Sequence, residues 1–191
     1  FGLDGFMPEI DPSNEAVLLS SMQKAYEEFV KSEAGVNNGK SAIDFVLAKF
    51  PKVDPKRIYS SGHSSAATLS LLLAAKDHRI SKCIAFAPVT DLRMRHGDML
   101  KEPKIMRYFP GIRDYLRTGS PSSYVDVFRC PVFIVHARDD DNEPFANTKT
   151  FVSLLKSKGA EVKFVELRTG GHYQPIMDVG IPQAIAWLDK P

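Results

Sequence analysis

Apolar positions along the chain fall into two rhythms. Leu18, Met22, Tyr26, Phe29 and Val30 recur three to four residues apart, which predicts a helix over residues 14–33 with Gly35 as its stop. A second helix is predicted over 39–50, carrying Ile43, Phe45, Val46, Leu47 and Phe50. Pro51 ends it, because the residue before a proline is pushed out of helical geometry. Short β-type runs follow at 58–61, 80–87, 131–137 and 162–167. The third, Pro131-Val132-Phe133-Ile134-Val135-His136-Ala137, is almost continuously apolar, as expected of a strand covered on both faces. Between the strands lie an Ala- and Leu-rich helix at 65–76 and a helix at 145–158 stopped by Gly159. A last helix at 181–188 tolerates Pro182 in its first turn. Residues 1–13, rich in Gly and Pro, read as loop, and 89–128 as a long irregular insert. Strands alternating with helices from residue 39 onward predict βαβ units, hence an α/β fold with a parallel sheet between helices.

Within that frame one stretch carries chemistry. In Arg57-Ile58-Tyr59-Ser60-Ser61-Gly62-His63-Ser64-Ser65-Ala66 a strand passes through a tight turn into a helix, with Ser64 at the apex. A serine there projects its hydroxyl out of the fold while the following amides converge beside it, an arrangement suited to attack on a carbonyl. An acidic loop, residues 138–143, follows a later strand, and His172 follows the next. Ser, Asp and His, each at the carboxyl end of a different parallel strand, are brought to a common crevice.

Composition narrows the alternatives. A chain of 191 residues suffices for one domain with a sizeable core. A net charge of +2 argues against bulk electrostatic binding of nucleic acid. No apolar run is long enough to span a bilayer. Cys83 and Cys130 lie in apolar strand-like stretches and read as buried thiols, with a bridge open if their strands are neighbours. No Cys-x-x-Cys, paired histidines, P-loop or Gly-x-Gly-x-x-Gly is present, so neither a metal site nor a cofactor is expected.

The chain resembles the α/β-hydrolase superfamily, and within it the prolyl oligopeptidase and dienelactone hydrolase-like branch. Four segments carry the resemblance: Val53 to Ala66, Ala85-Phe86-Ala87-Pro88-Val89-Thr90-Asp91, Ser120 to Pro144, and Gly171-His172. It implies a serine hydrolase with Ser64 as nucleophile, His172 as base and the Ser65 amide as one oxyanion donor. Of Asp139, Asp140 and Asp141, the family pattern His-Gly-x-x-Asp-x-x-Val-Pro laid on His136 to Pro144 selects Asp140. Ala137 and Glu143 depart from that pattern. The family's sheet has strands earlier than any seen before Ser64, so the chain is expected to lack an amino-terminal part that would supply the second oxyanion donor. Phe1–Phe6 reads as the tail of such a strand.

Other readings stay open at this level. Ser64 could be a helix N-cap only, and the acidic run a solvated loop or a calcium loop, although it lacks spaced Asp-x-Asp-x-Asp-Gly. His63 reads as a packed neighbour of the elbow and His136 as a structural residue, while His78 and His96 fall in exposed segments. The insert over 91–129 reads either as an ordinary capping subdomain or as a lid that selects substrates, with Arg93 and Arg95 facing an acidic or carboxylate-bearing group. The expected partner is a small-molecule ester or a peptide; a homo-oligomer, an acyltransferase and a non-catalytic binding protein remain alternatives.

Overall fold

The computed structural model describes residues 15–189. The loop expected over 1–13, the strand tail at Phe1–Phe6 and the helix start at residue 14 lie outside the described residues. Two helices come first, α1 (Glu15–Lys31) and α2 (Val36–Lys49). Four strands follow, β1 (Ile58–His63), β2 (Ile80–Phe86), β3 (Val132–Ala137) and β4 (Val162–Leu167). Helices α3 (Ser65–Lys76), α7 (Phe145–Ser157) and α8 (Ile181–Leu188) follow β1, β3 and β4. The strands are all parallel, in the order β1-β2-β3-β4.

The two-residue period of the strands separates two cores. Cys83 and Ala85 of β2, beside Val132 and Ile134 of β3, face α3 and α7, where Leu71, Leu72, Phe151 and Leu155 close the layer. The alternate residues Ile84, Phe86, Phe133 and Val135 face α8 through Ala184 and Trp187. Every residue of β3 is buried, as its unbroken apolar run requires. A one-residue slip of register would exchange these faces, so the two cores fix the height at which each strand ends.

The residues expected as an irregular insert are instead largely helical. They form α4 (Leu92–His96), α5 (Pro103–Tyr108) and α6 (Ile112–Thr118), with 3-10 turns at Gly97–Lys101 and Pro121–Tyr124. Pro103, Gly111, Gly119 and Pro121 cut the helices short, which hid their period. Phe109, Ile112 and Leu116 make a small core of their own against Met22 and Tyr26 of α1. The Tyr26 ring meets Phe109 and Tyr115 edge-on, and its hydroxyl donates to the Pro110 carbonyl at 3.0 Å. The helix predicted from residue 39 begins at Val36, which is fully buried; Gly39 lies inside it, against Leu73 of α3. The strand predicted to end at residue 61 runs on to His63. Cys83 and Cys130 are free and buried, and burial pushes their thiols up to about 12 and about 11.

Candidate active site

β1 ends in a sharp reversal. Ser64 has φ 56° and ψ −123°, outside the regions open to side-chain-bearing residues. Three backbone hydrogen bonds hold it there. Its N–H donates to the Phe86 carbonyl at 2.9 Å, and its carbonyl accepts from Ala67 and Thr68 at 3.0 and 3.1 Å. The turn brings β1 so close to the first turn of α3 that a Cβ on Gly62 would lie 2.3 Å from the Ala66 carbonyl carbon and oxygen. Glycine is therefore a steric requirement at this position. The Ser65 amide opens α3, and no acceptor meets it among the described residues.

The three adjacent aspartates beyond β3 have separate environments. Asp141 is exposed. Asp139 accepts the Gly170 and Gly171 amides at 3.1 and 2.9 Å, tying down the left-handed turn that presents His172. Asp140 is buried, and its Oδ2 accepts from His172 Nδ1 at 2.8 Å and from His136 Nε2 at 3.1 Å. Its Oδ1 accepts the Asn142 and Glu143 amides, each at 2.9 Å. Burial pushes this carboxyl up, but the Glu143 amide and His172 outweigh it and hold the group below the usual carboxylate range. Asp140 is therefore ionised at neutral pH.

His172 is itself buried. Its carbonyl accepts from His63 Nε2 at 3.0 Å, and the two rings lie 4.5 Å apart. Burial holds His63 below the ordinary histidine value, so it serves as a neutral donor bracing the His172 loop against β1. Asp140 and His172 are thus joined directly. Among the described residues no hydrogen bond links the Ser64 hydroxyl to His172.

A cavity of about 220 Å³ opens beside Ser64 and Ser65. Phe29, Leu69, Leu72, Val89 and Tyr115 give it an apolar lining, and Leu92, His96 and Glu143 close one side. The insert thus supplies wall, but not through the two arginines expected to do so. Arg93 folds back on Asp91 at 2.7 Å, and Arg95 pairs with Glu143 at 3.2 Å. Neither arginine lines the cavity, and the charge of each is already matched within the chain. Glu143 went unnoticed in the sequence except as a departure from a valine. Burial pushes its carboxyl above the usual range, with Arg95 pulling it partly back.

A strained serine between a parallel strand and a helix, with a buried Asp–His pair at the ends of the third and fourth strands, is the arrangement of the α/β-hydrolases. The profile of the prolyl oligopeptidase family matches residues 22–186.

The chain belongs to the prolyl oligopeptidase family.

Among relatives of this family member, an uncharacterized peptidase of Bacillus subtilis (strain 168), YuxL, is 26% identical over 161 residues, covering 76% of this chain and 24% of the relative. The chain thus spans about a quarter of the length of the curated relative it matches. The acylaminoacyl peptidase of Pyrococcus horikoshii superposes with a TM-score of 0.64 at 17% identity, over 79% of this chain and 25% of that one. A truncated carbohydrate esterase from gut microbiota superposes with a TM-score of 0.69 at 17% identity, over 81% of this chain and 67% of that one. These superpositions establish the α/β-hydrolase fold of the described residues.

Proposed function

We propose that this chain carries the catalytic centre of a serine hydrolase that cleaves an ester or peptide bond through an acyl-enzyme. Ser64 is the nucleophile, His172 the base and Asp140 the acid that orients it. The observation that carries this reading is the buried Asp140–His172 hydrogen bond at the same sheet edge as the strained Ser64 elbow. An ionised carboxylate can only accept, so Nδ1 of His172 holds the proton, and the neutral ring keeps a lone pair on Nε2. That nitrogen takes the hydroxyl proton as Ser64 Oγ attacks the carbonyl carbon. The resulting imidazolium is stabilised by Asp140 and returns its proton to the leaving oxygen or nitrogen. Water then repeats the sequence on the acyl-enzyme. The Ser64–His172 contact tightens in the substrate complex, as such bonds commonly do.

The oxyanion forms beside the opening of α3, where the Ser65 amide is one donor. The apolar cavity next to Ser64 suits an uncharged hydrocarbon or aromatic group of the substrate. Family membership and the peptidase name of the bacterial relative favour a peptide; the structural likeness to a carbohydrate esterase keeps an ester in view. A fluorophosphonate probe tests the reading: the full-length natural protein is expected to be labelled, and Ser64→Ala to lose the label. Labelling that survives in Ser64→Ala, or an unlabelled natural protein, refutes it. A panel of short-chain esters and peptides then decides the substrate class.

A further inference from the structure

His136 sits one residue from the end of β3 with its side chain fully buried. A structural histidine in a strand core needs only satisfied nitrogens. This one spends its hydrogen bond on the carboxylate oxygen that also holds His172. Nε2 lies 3.1 Å from Asp140 Oδ2 and 3.2 Å from the Glu143 carbonyl. Both are acceptors only, so Nε2 must carry a proton. Nδ1 lies 2.9 Å from Thr148 Oγ1 on α7, itself fully buried. The Thr148 hydroxyl has a second partner, the Pro88 carbonyl, at 3.3 Å. If its single hydrogen points to Nδ1 the ring is neutral; if it points to Pro88, both ring nitrogens are protonated. The shorter contact and the burial of the ring select the neutral form, although Asp140 pulls the other way.

We infer that His136 is a positioning residue: held by Thr148 as the Nε2–H tautomer, it donates a second hydrogen bond to Asp140 Oδ2 and thereby moderates the grip of that carboxylate on His172. The inference rests on the triad reading above. Asp140 then takes four N–H donors, two on each oxygen, which fills its accepting capacity. Each donor spreads the carboxylate charge and makes it a weaker partner for an imidazolium. Without the His136 donor, Asp140 stabilises protonated His172 more strongly, and a higher pH is needed to free the base. The charged and titratable groups around the pair are Asp140 and Glu143 from the loop after β3, His63 from β1 and Tyr173 beside His172 itself. Arg95 of α4 acts through Glu143.

Two substitutions in the full-length natural protein separate the two edges of the ring. The amide nitrogen of His136→Gln reaches the place of Nε2 and keeps the donor to Asp140. That of His136→Asn reaches the place of Nδ1 and loses it. In kcat/KM against pH, His136→Asn is expected to move the acid limb up by roughly half a pH unit, a fraction of one charge-assisted hydrogen bond. His136→Gln keeps the limb of the natural protein. A limb unmoved in both variants, or moved equally in both, overturns the inference. Nitrogen-15 spectra of the unsubstituted protein read the same point without a variant that must fold. His136 is expected as a neutral ring protonated on Nε2 near pH ~7, and a doubly protonated or Nδ1–H ring overturns the proposal. An unlabelled natural protein, or labelling that survives in Ser64→Ala, would report failure of the triad reading alone, since the tautomer measurement does not depend on activity.

Discussion

Ser64 occupies a backbone conformation that a side chain resists, so any side chain held there costs stability. Residues held in such regions cost of the order of 1–3 kcal/mol. Here the cost is sustained by the three hydrogen bonds to Phe86, Ala67 and Thr68. Ser64→Ala removes the hydroxyl and keeps the Cβ; Ser64→Gly removes both. Comparing the two variants therefore cancels the hydroxyl and isolates the backbone term. Glycine adopts φ near 56° freely, but the greater freedom of its unfolded chain returns roughly 0.4–1 kcal/mol. The difference leaves Ser64→Gly more stable than Ser64→Ala by about 1.5 kcal/mol, or several degrees in Tm at the ~2–4 °C per kcal/mol usual for domains of this size. Urea unfolding of both variants, followed by tryptophan fluorescence from Trp187 in the α8 core, measures it. A glycine variant equal to or weaker than the alanine variant would refute the claim that the elbow stores strain.

Gly62→Ala tests the neighbouring constraint. Its Cβ would press into the backbone of Ala66 and Ala67, so a loss of about 3 kcal/mol or more is expected, against 1–3 for ordinary overpacking. A fully stable alanine variant in a denaturation curve would show that α3 can yield. Glu143→Gln probes the buried carboxyl beside the cavity. Burial raises the Glu143 value in the fold, so its contribution to stability is complete below the unfolded value of ~4.3 and declines as pH rises through the folded one. The glutamine variant is therefore expected to gain on the natural protein as pH rises from about 4.3 through the raised folded value, by about 1.4 kcal/mol per unit of displacement. A stability difference independent of pH would contradict it.

Much of this was legible in the chain, for reasons that differ from element to element. The elbow is a local object, with strand residues, a glycine, an apical serine and an Ala-rich helix adjacent in sequence, and their short-range sterics dictate the turn. The parallel sheet followed from the alternation of apolar runs with helical spacing. The insert misled because Pro103, Gly111, Gly119 and Pro121 break its helices into pieces too short to show a period. Its small core becomes visible only when α1 supplies Met22 and Tyr26 from more than eighty residues away.

The site divides along the same line. By itself the sequence determined that a serine stands on a tight turn, that aspartates and a histidine follow at later strand ends, and that β3 is buried on both faces. The choice among Asp139, Asp140 and Asp141 came from a family resemblance, and the structure shows each in a different setting: one binding the loop amides at Gly170 and Gly171, one binding His172, one in solvent. Tertiary structure alone decided that His136 shares the oxygen of Asp140 with His172, that Glu143 pairs with Arg95, and that α1, α2, α3 and α6 line a cavity beside Ser64. The physical reason is one of range. Backbone geometry is dictated by adjacent residues, whereas a hydrogen bond between residues on different strands exists only once the registers of β3 and β4 set both ends at the same height.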